Sequence, residues 1–146
     1  MRRNLFLFVF LCVLGIQFAN AQSINGLEIG KQYSLVQIKA ALGNPTFIDS
    51  WDTEFGTDYE FHYGEDMFRF YSLTGFSDFA LRDNKFSINN KFKVGDNVSI
   101  LSTIPNSKLV LKEQGLYYLY IYPCDDPIKV KFTNNILTYI GFMMSV

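Results

Sequence analysis

The chain has very few of the side chains from which catalytic and metal sites are built. Its 146 residues include one histidine, His62, and two cysteines. No Gly-x-Ser-x-Gly pattern occurs, and no second histidine or cysteine lies close to His62 in the sequence. A metal site or an activated nucleophile needs such partners. We therefore expect no enzymatic activity, no metal and no cofactor.

The cysteines are too few for a disulfide framework. Cys12 lies in an apolar run near the N-terminus, and removal of that run would leave Cys124 alone. One cysteine cannot form a bridge within the chain. Cys124 is therefore expected either to be buried and inert or to form an intermolecular bridge.

The single long apolar run indicates secretion. Two arginines precede apolar residues 5–16, and Ala19-Asn20-Ala21 follows as a small-x-small cleavage signal. This pattern predicts a signal peptide over residues 1–21, a secreted or periplasmic location, and no stable membrane insertion after cleavage. A membrane anchor is the alternative, although the run is shorter than the roughly 20 residues of a span.

An excess of positive charge is also missing. Removal of residues 1–21 takes two of the 13 basic residues and none of the 14 acidic ones, which leaves a formal net charge of −3. A nucleic-acid-binding face needs basic side chains in excess, so no nucleic-acid partner is expected. Aromatic residues are abundant, and they are enough for a dense core with some rings left for a surface.

The sequence contains an internal repeat. IGKQYSLVQ from Ile29 is similar to VGDNVSILS from Val94, at an offset of 65 residues. EFHYGEDMFRF from Glu60 is similar to YIYPCDDPIKV from Tyr120, and FSDFAL is similar to ILTYIG, both at an offset of 60. The chain is therefore predicted to consist of two units, residues 22–88 and 89–146.

The repeat also explains the polar cluster around His62. The acidic pair Glu65-Asp66 recurs as Asp125-Asp126, whereas His62 is replaced by Tyr122. A metal or acid–base site would need its histidine, but a hairpin turn needs only polar residues. We therefore interpret Gly64-Glu65-Asp66 and Cys124-Asp125-Asp126 as turns.

Each unit is predicted to be a short helix followed by an antiparallel meander. Ser34-x-x-Gln37 is a capping box, and residues 42–45 (LGNP) end the first helix. The second helix is expected to begin near residues 97–99 and to end before Pro105. The fold class is α+β, with the helices on one face of one continuous or paired sheet. The predicted strands are residues 46–51, 59–63, 67–73, 76–81, 107–112, 116–122, 128–133 and 136–142, with a further short strand at 85–88.

The segment IGKQYSLVQIKAALGNP, the aromatic strands after it and their recurrence resemble the tandem-repeat fold of the β-lactamase inhibitor proteins. Each half is also similar to the small outer-membrane lipoproteins of the SmpA/OmlA type, as Gly30, Ser34 and residues 42–45 show. The resemblance covers residues 27–142. It implies two helix-plus-meander repeats that grip a protein partner through the sheet face or the hairpin loops. Neither family's activity is inferred, because the disulfides of the first and the lipidated cysteine of the second are absent.

Alternation along the strands separates two faces. The face expected to pack on the helices carries Phe61, Phe68, Phe70, Ile121, Ile128 and Val130. The opposite face carries Glu60, His62, Arg69 and Tyr71 in the first unit, and Tyr118, Tyr120, Tyr122, Lys129 and Lys131 in the second. Tyrosines beside lysines are typical of a binding interface. A cross-strand ladder that only stiffens the sheet is the alternative.

These patterns predict a secreted or periplasmic protein-binding module. The candidate contact residues are Tyr118, Tyr120, Tyr122, Lys129, Lys131, Arg69, Tyr71 and Trp51. Trp51 lies beside a predicted loop over residues 52–58, and we expect its side chain to be buried. The alternative function is a small-ligand or lipid carrier with an aromatic cavity between the helices and the sheet.

Overall fold

The computed structural model of the protein describes residues 22–122 and 126–144. The predicted signal peptide, Cys124 and Asp125 lie outside these residues. Antiparallel sheet dominates, with 53% strand and 12% helix. Helix is therefore a smaller part of the structure than the predicted α+β class implies.

Twelve strands form two antiparallel sheets in the described part of the chain. In chain order the strands are β1 (Ser23–Ile24), β2 (Leu27–Glu28), β3 (Phe47–Thr53), β4 (Gly56–Tyr63), β5 (Asp66–Tyr71), β6 (Gly75–Leu81), β7 (Ser87–Ile88), β8 (Phe92–Lys93), β9 (Ser107–Glu113), β10 (Leu116–Ile121), β11 (Ile128–Thr133) and β12 (Ile136–Met143). The small sheet has the order β2-β1-β7-β8. The large sheet has the order β3-β4-β5-β6-β12-β11-β10-β9.

The large sheet consists of two meanders that meet through their last strands. β6 pairs with β12, and Ala80 lies opposite Gly141. Each meander has a register shift next to its last strand, one between Arg69 and Phe70 and the other between Lys131 and Phe132. The strand order is therefore symmetric about the β6–β12 pair, and the two halves form one continuous sheet.

The register changes one detail of the predicted repeat. After the two register shifts Phe70 pairs with Phe76 and Phe132 pairs with Leu137, so the matching positions of β6 and β12 are 61 residues apart and not 60. Phe76 then corresponds to buried Leu137 and not to exposed Ile136. In the small sheet, Ile24 lies opposite Ile88. The small sheet therefore pairs a strand that precedes the first helix with a strand that precedes the second.

The first helix begins where the sequence predicts. Helix α1 (Leu35–Leu42) starts after Ser34, whose Oγ accepts a hydrogen bond from the Gln37 N–H at 3.3 Å, while the Gln37 Oε1 accepts one from the Ser34 N–H at 2.9 Å. These reciprocal bonds satisfy two of the N–H groups left free at a helix start. Ile38 and Leu42 are buried on the side of the helix that faces the core.

The second predicted helix is a 3₁₀ helix, η1 (Val98–Thr103). The hydroxyls of Ser102 and Thr103 each donate to the carbonyl three residues earlier at 2.7 Å. Such side-chain bonds compete with the regular helix ladder, and six residues are too few for an α-helix to prevail.

One hydrophobic core lies on a single side of the large sheet. The large buried rings of the sheet are Phe61, Tyr63, Phe68, Phe70, Phe76, Phe79 and Phe142, and they share a cluster with Ile38, Leu42 and Leu101 of the helices and with Ile24 and Ile88 of the small sheet. The predicted core face is confirmed: Ile128 and Val130 are also fully buried, and Ile121 packs against the cluster. We call the opposite side of the large sheet the outer face.

Candidate functional site

Two tyrosines run along the outer face of β10 between lysines of the neighbouring strands. Tyr118 lies opposite Lys129 of β11, and Tyr120 lies opposite Lys108 of β9. The Lys112 Nζ lies 5.3 Å from the ring centre of Tyr118 and 6.0 Å from that of Tyr120. We call this set the tyrosine–lysine stripe, and its members are Tyr118, Tyr120, Lys108, Lys112, Lys129 and Lys131.

Four of the predicted contact residues come together in the stripe: Tyr118, Tyr120, Lys129 and Lys131. Both tyrosines are half-buried. Tyr122 follows directly after β10, and its side chain is 58% exposed. Lys108 and Lys112 were not predicted as contact residues. The alternation in SKLVLKE over β9 contains the signal that would have placed both on one face.

The positive charges of the stripe are not neutralised. None of its four lysines forms an ion pair with a carboxylate in the described part of the chain, where the ion pairs join Glu28 to Lys31 and Glu60 to Arg69. Lys131 lies over another aromatic ring instead, with its Nζ 5.9 Å from the ring centre of Tyr139. The stripe is thus a local basic surface on a chain with a net negative charge.

Arg69 and Tyr71, also predicted as contact residues, are held in a network on the outer face of the first half. The Arg69 Nε donates a hydrogen bond to Glu60 Oε2, which raises the pKa of Arg69. The Tyr71 hydroxyl donates to Asp78 Oδ2 at 3.2 Å, and burial raises the pKa of Tyr71. Arg69 is thus paired with Glu60 and the Tyr71 hydroxyl is bonded to Asp78, so this half offers less unpaired charge to a partner.

His62 belongs to the same network. Its Nε2 lies 2.8 Å from Glu60 Oε1, and its ring lies 5.3 Å from that of Phe47. Asp66 is fully buried on the core side, whereas His62 is on the outer face. The two cannot share a ligand. Among the described residues, no three His, Cys, Asp or Glu side chains are grouped as a metal would require.

The prediction that Trp51 is buried is wrong. Its side chain is 40% exposed on the outer face of β3, and its ring lies 6.5 Å from that of Tyr71 in an edge-on arrangement. β3 is an edge strand, and Ile48 takes the core-facing parity opposite Phe61. Strand alternation then points Trp51, three residues later, away from the core.

Residues 52–58 form the end of a hairpin and not a loop. Asp52 pairs with Thr57 and Thr53 with Gly56, so the β3–β4 ladder continues to its tip. The tip packs against the β5–β6 turn, where the Asp58 Oδ1 accepts hydrogen bonds from the Ser72 N–H at 2.6 Å and from the Ser72 hydroxyl at 2.7 Å. These contacts attach the turn to the hairpin.

A cleft of about 570 Å³ opens between the hairpin tip and the β5–β6 turn. We call it the hairpin cleft, and it is lined by Thr53, Glu54, Phe55, Asp58, Tyr71, Ser72, Leu73 and Thr74. Phe55 and Leu73 are 59% and 64% exposed. The cleft lies at one end of the outer face, whereas the carrier hypothesis expected a cavity between the helices and the sheet. No motif in the sequence indicated it, because it depends on two turns that are distant along the chain.

Asp66 begins β5 and is buried, although the sequence suggested a polar turn residue. Its Oδ1 accepts hydrogen bonds from the N–H groups of Arg82 and Asp83 at 2.7 and 2.9 Å, while its Oδ2 is buried without a partner among the described residues. Burial raises the pKa of Asp66, and the two amide donors oppose this effect. The carboxyl group thus holds the chain after β6 at a cost in desolvation.

We expect Asp66→Asn to reduce the pH dependence of stability. Because the folded pKa is raised, the contribution of Asp66 is fully present below its unfolded pKa and is lost as pH rises through the folded value. The free energy of unfolding of the native protein, relative to the variant, should therefore increase as pH falls from about 7 to about 4. Urea unfolding of both proteins over this range measures the difference, and a constant difference would contradict the assignment.

Comparison with protein-family models, with curated proteins and with solved structures finds no match to this chain. No helix among the described residues has the length and apolar composition that a membrane span requires.

Proposed function

We propose that the protein is a secreted or periplasmic, non-catalytic module that binds a protein partner through its outer face. The observation that carries the proposal is the tyrosine–lysine stripe on a sheet face that lies opposite a filled core. Tyrosine supplies a large contact area with a polar tip and is enriched in protein interfaces. The lysines beside the rings have no carboxylate partner among the described residues.

The symmetric strand order supports a second part of the proposal. We propose that the halves are copies of one helix-plus-meander unit, of the kind that the β-lactamase inhibitor proteins contain in tandem. Duplication would supply two outer faces, of which the second carries the contact. In the first half the corresponding charges are paired within the chain, as Arg69 with Glu60 shows.

The hairpin cleft favours a second candidate function, the transport of a small apolar ligand. Its volume of about 570 Å³ is within the range of roughly 300–1,000 Å³ that ligand pockets occupy. Exposed Phe55 and Leu73 would then contact the ligand. The same two side chains would serve equally as the contact of a protein partner with the hairpin end.

Capture of partners from the native secreted or envelope fraction tests the proposal. Immobilised wild-type protein should retain a partner that Tyr120→Ala loses, because truncation of a central aromatic anchor typically costs about 2 kcal/mol or more in affinity. Phe55→Ala is the matched control, since it removes an exposed aromatic ring at the hairpin cleft. If Phe55→Ala loses the partner and Tyr120→Ala retains it, the contact lies at the hairpin cleft. If the wild-type protein captures no partner, the proposed function is contradicted.

A further inference from the structure

We infer that the tyrosine–lysine stripe binds an extended acidic segment of a polypeptide. The inference rests on the proposed protein-binding function and adds the chemistry of the partner. It starts from charge. Within the described residues, the outer face of β9, β10 and β11 carries Lys108, Lys112, Lys129 and Lys131, and none of these has a carboxylate within ion-pair distance.

Protection of the sheet edge does not explain all four lysines. Lysines on an edge strand commonly prevent unwanted strand pairing, and Lys108 and Lys112 lie on edge strand β9. Lys129 and Lys131 lie on β11, which has β10 on one side and β12 on the other. An interior strand has no free edge to protect, so the charges on β11 need another reason.

The spacing of the stripe fits an extended chain. Side chains on one face of a strand repeat every two residues, or about 6.8 Å, and neighbouring strands lie about 4.8 Å apart. The two lysine rows therefore flank the tyrosine row at a separation of roughly 10 Å. A segment that lay over Tyr118 and Tyr120, parallel to β10, would present its own alternate side chains at the same repeat. Carboxylates at those positions would reach the lysines on either side.

The tyrosines complete the fit. Their ring centres lie 6.4 Å apart and the rings are tilted by 54°, so together they offer two adjacent aromatic surfaces against which the stems of glutamate or aspartate side chains can pack. The Lys112 ammonium lies over both rings, where a carboxylate of the bound segment would meet it. Charge complementarity of this kind selects a partner and accelerates association, and it weakens with salt.

The test uses the full mature chain and three labelled probes: a dodecapeptide that alternates Glu with Ser, the same peptide with Lys for Glu, and a sulfated oligosaccharide of matched charge. Fluorescence anisotropy should show binding of the glutamate peptide at about 50 mM NaCl and at least roughly tenfold weaker binding at about 300 mM. The lysine peptide should not bind.

The decisive comparison uses two double charge reversals. The double variant with Lys129→Glu and Lys131→Glu should bind the glutamate peptide at least about tenfold more weakly than the wild-type protein does. Lys91→Glu with Lys93→Glu changes the net charge equally, at two exposed lysines with the same spacing near the small sheet, and should leave binding nearly unchanged. Circular dichroism and thermal unfolding confirm that both variants are folded.

Three results would overturn the inference: no binding of the glutamate peptide, equal losses in the two double variants, or tighter binding of the oligosaccharide through the same lysines. The proposed function is tested apart from these. A captured partner that depends on Tyr120 but not on Lys129 and Lys131 would retain the protein-binding function and refute the acidic segment. If the glutamate peptide binds through the lysines but no partner is captured, the acidic-segment inference is retained and the proposed function is contradicted.

Discussion

Gly75→Ala is expected to destabilise the protein by roughly 3 kcal/mol or more, whereas Gly115→Ala should cost only about 1–2 kcal/mol. The two glycines have nearly the same positive φ, +77° and +76°. An alanine at either position therefore has the same penalty for a left-handed conformation. The difference between the two losses of stability therefore measures the effect of the atoms that surround each glycine.

The surroundings of Gly75 leave no space for a side chain. A Cβ there would come within 3.0 Å of the Lys31 carbonyl and of the Gln32 backbone nitrogen, whereas a Cβ at Gly115 would meet nothing within 4 Å. The close approach has a cause: the Phe76 N–H donates to the Lys31 carbonyl at 2.9 Å, and the Gly30 N–H donates to the Phe76 carbonyl at 2.7 Å. These bonds attach the segment before α1 to the start of β6.

Urea unfolding of both glycine variants measures the difference. Equal losses of unfolding free energy would show that the contact between residues 30–31 and β6 is loose in solution. Because Gly75 follows the turn that lines the hairpin cleft, Gly75→Ala should also alter any ligand binding there.

The parts of the fold that could be predicted from the sequence are those with strong local signals. The Ser34 capping box and the long alternating strands are of this kind, since each is determined by neighbours along the chain. The helix at Val98–Thr103 was also predicted, and its 3₁₀ form is accompanied by local bonds of its hydroxyls. Strands of two residues, such as β1 and β7, have no periodicity to recognise and form only because their partners are supplied by the fold.

The candidate site divides in the same way. The tyrosine row could be predicted because alternation determines which residues share a face. Trp51 was misassigned because its exposure depends on β3 being an edge strand, which is a property of the sheet. The burial of Asp66 depends on the N–H groups of Arg82 and Asp83, which reach it only after β6 has paired with β5. Features that need two distant segments were not visible in either segment alone.

Phe61→Ala should cost roughly 3–5 kcal/mol of the free energy of unfolding, whereas Tyr120→Ala should leave the protein folded. Phe61 is fully buried, and its ring lies edge-on to Phe70 at 5.5 Å. Its removal leaves a cavity in a core that neighbouring rings cannot refill. A loss of this size is a large part of the stability of a small domain, which is about 5–15 kcal/mol in total.

Tyr120 is on the other face of the sheet and is half-buried. Its removal forfeits the contact with Tyr118 and part of the contact with Lys112. Cross-strand and same-face contacts of this kind contribute about 0.2–1 kcal/mol each. Thermal and urea unfolding of the two variants, beside wild type, give both values. If Tyr120→Ala unfolds the protein as severely as Phe61→Ala, the tyrosine row is a structural ladder, and the binding contact must be sought at the hairpin cleft.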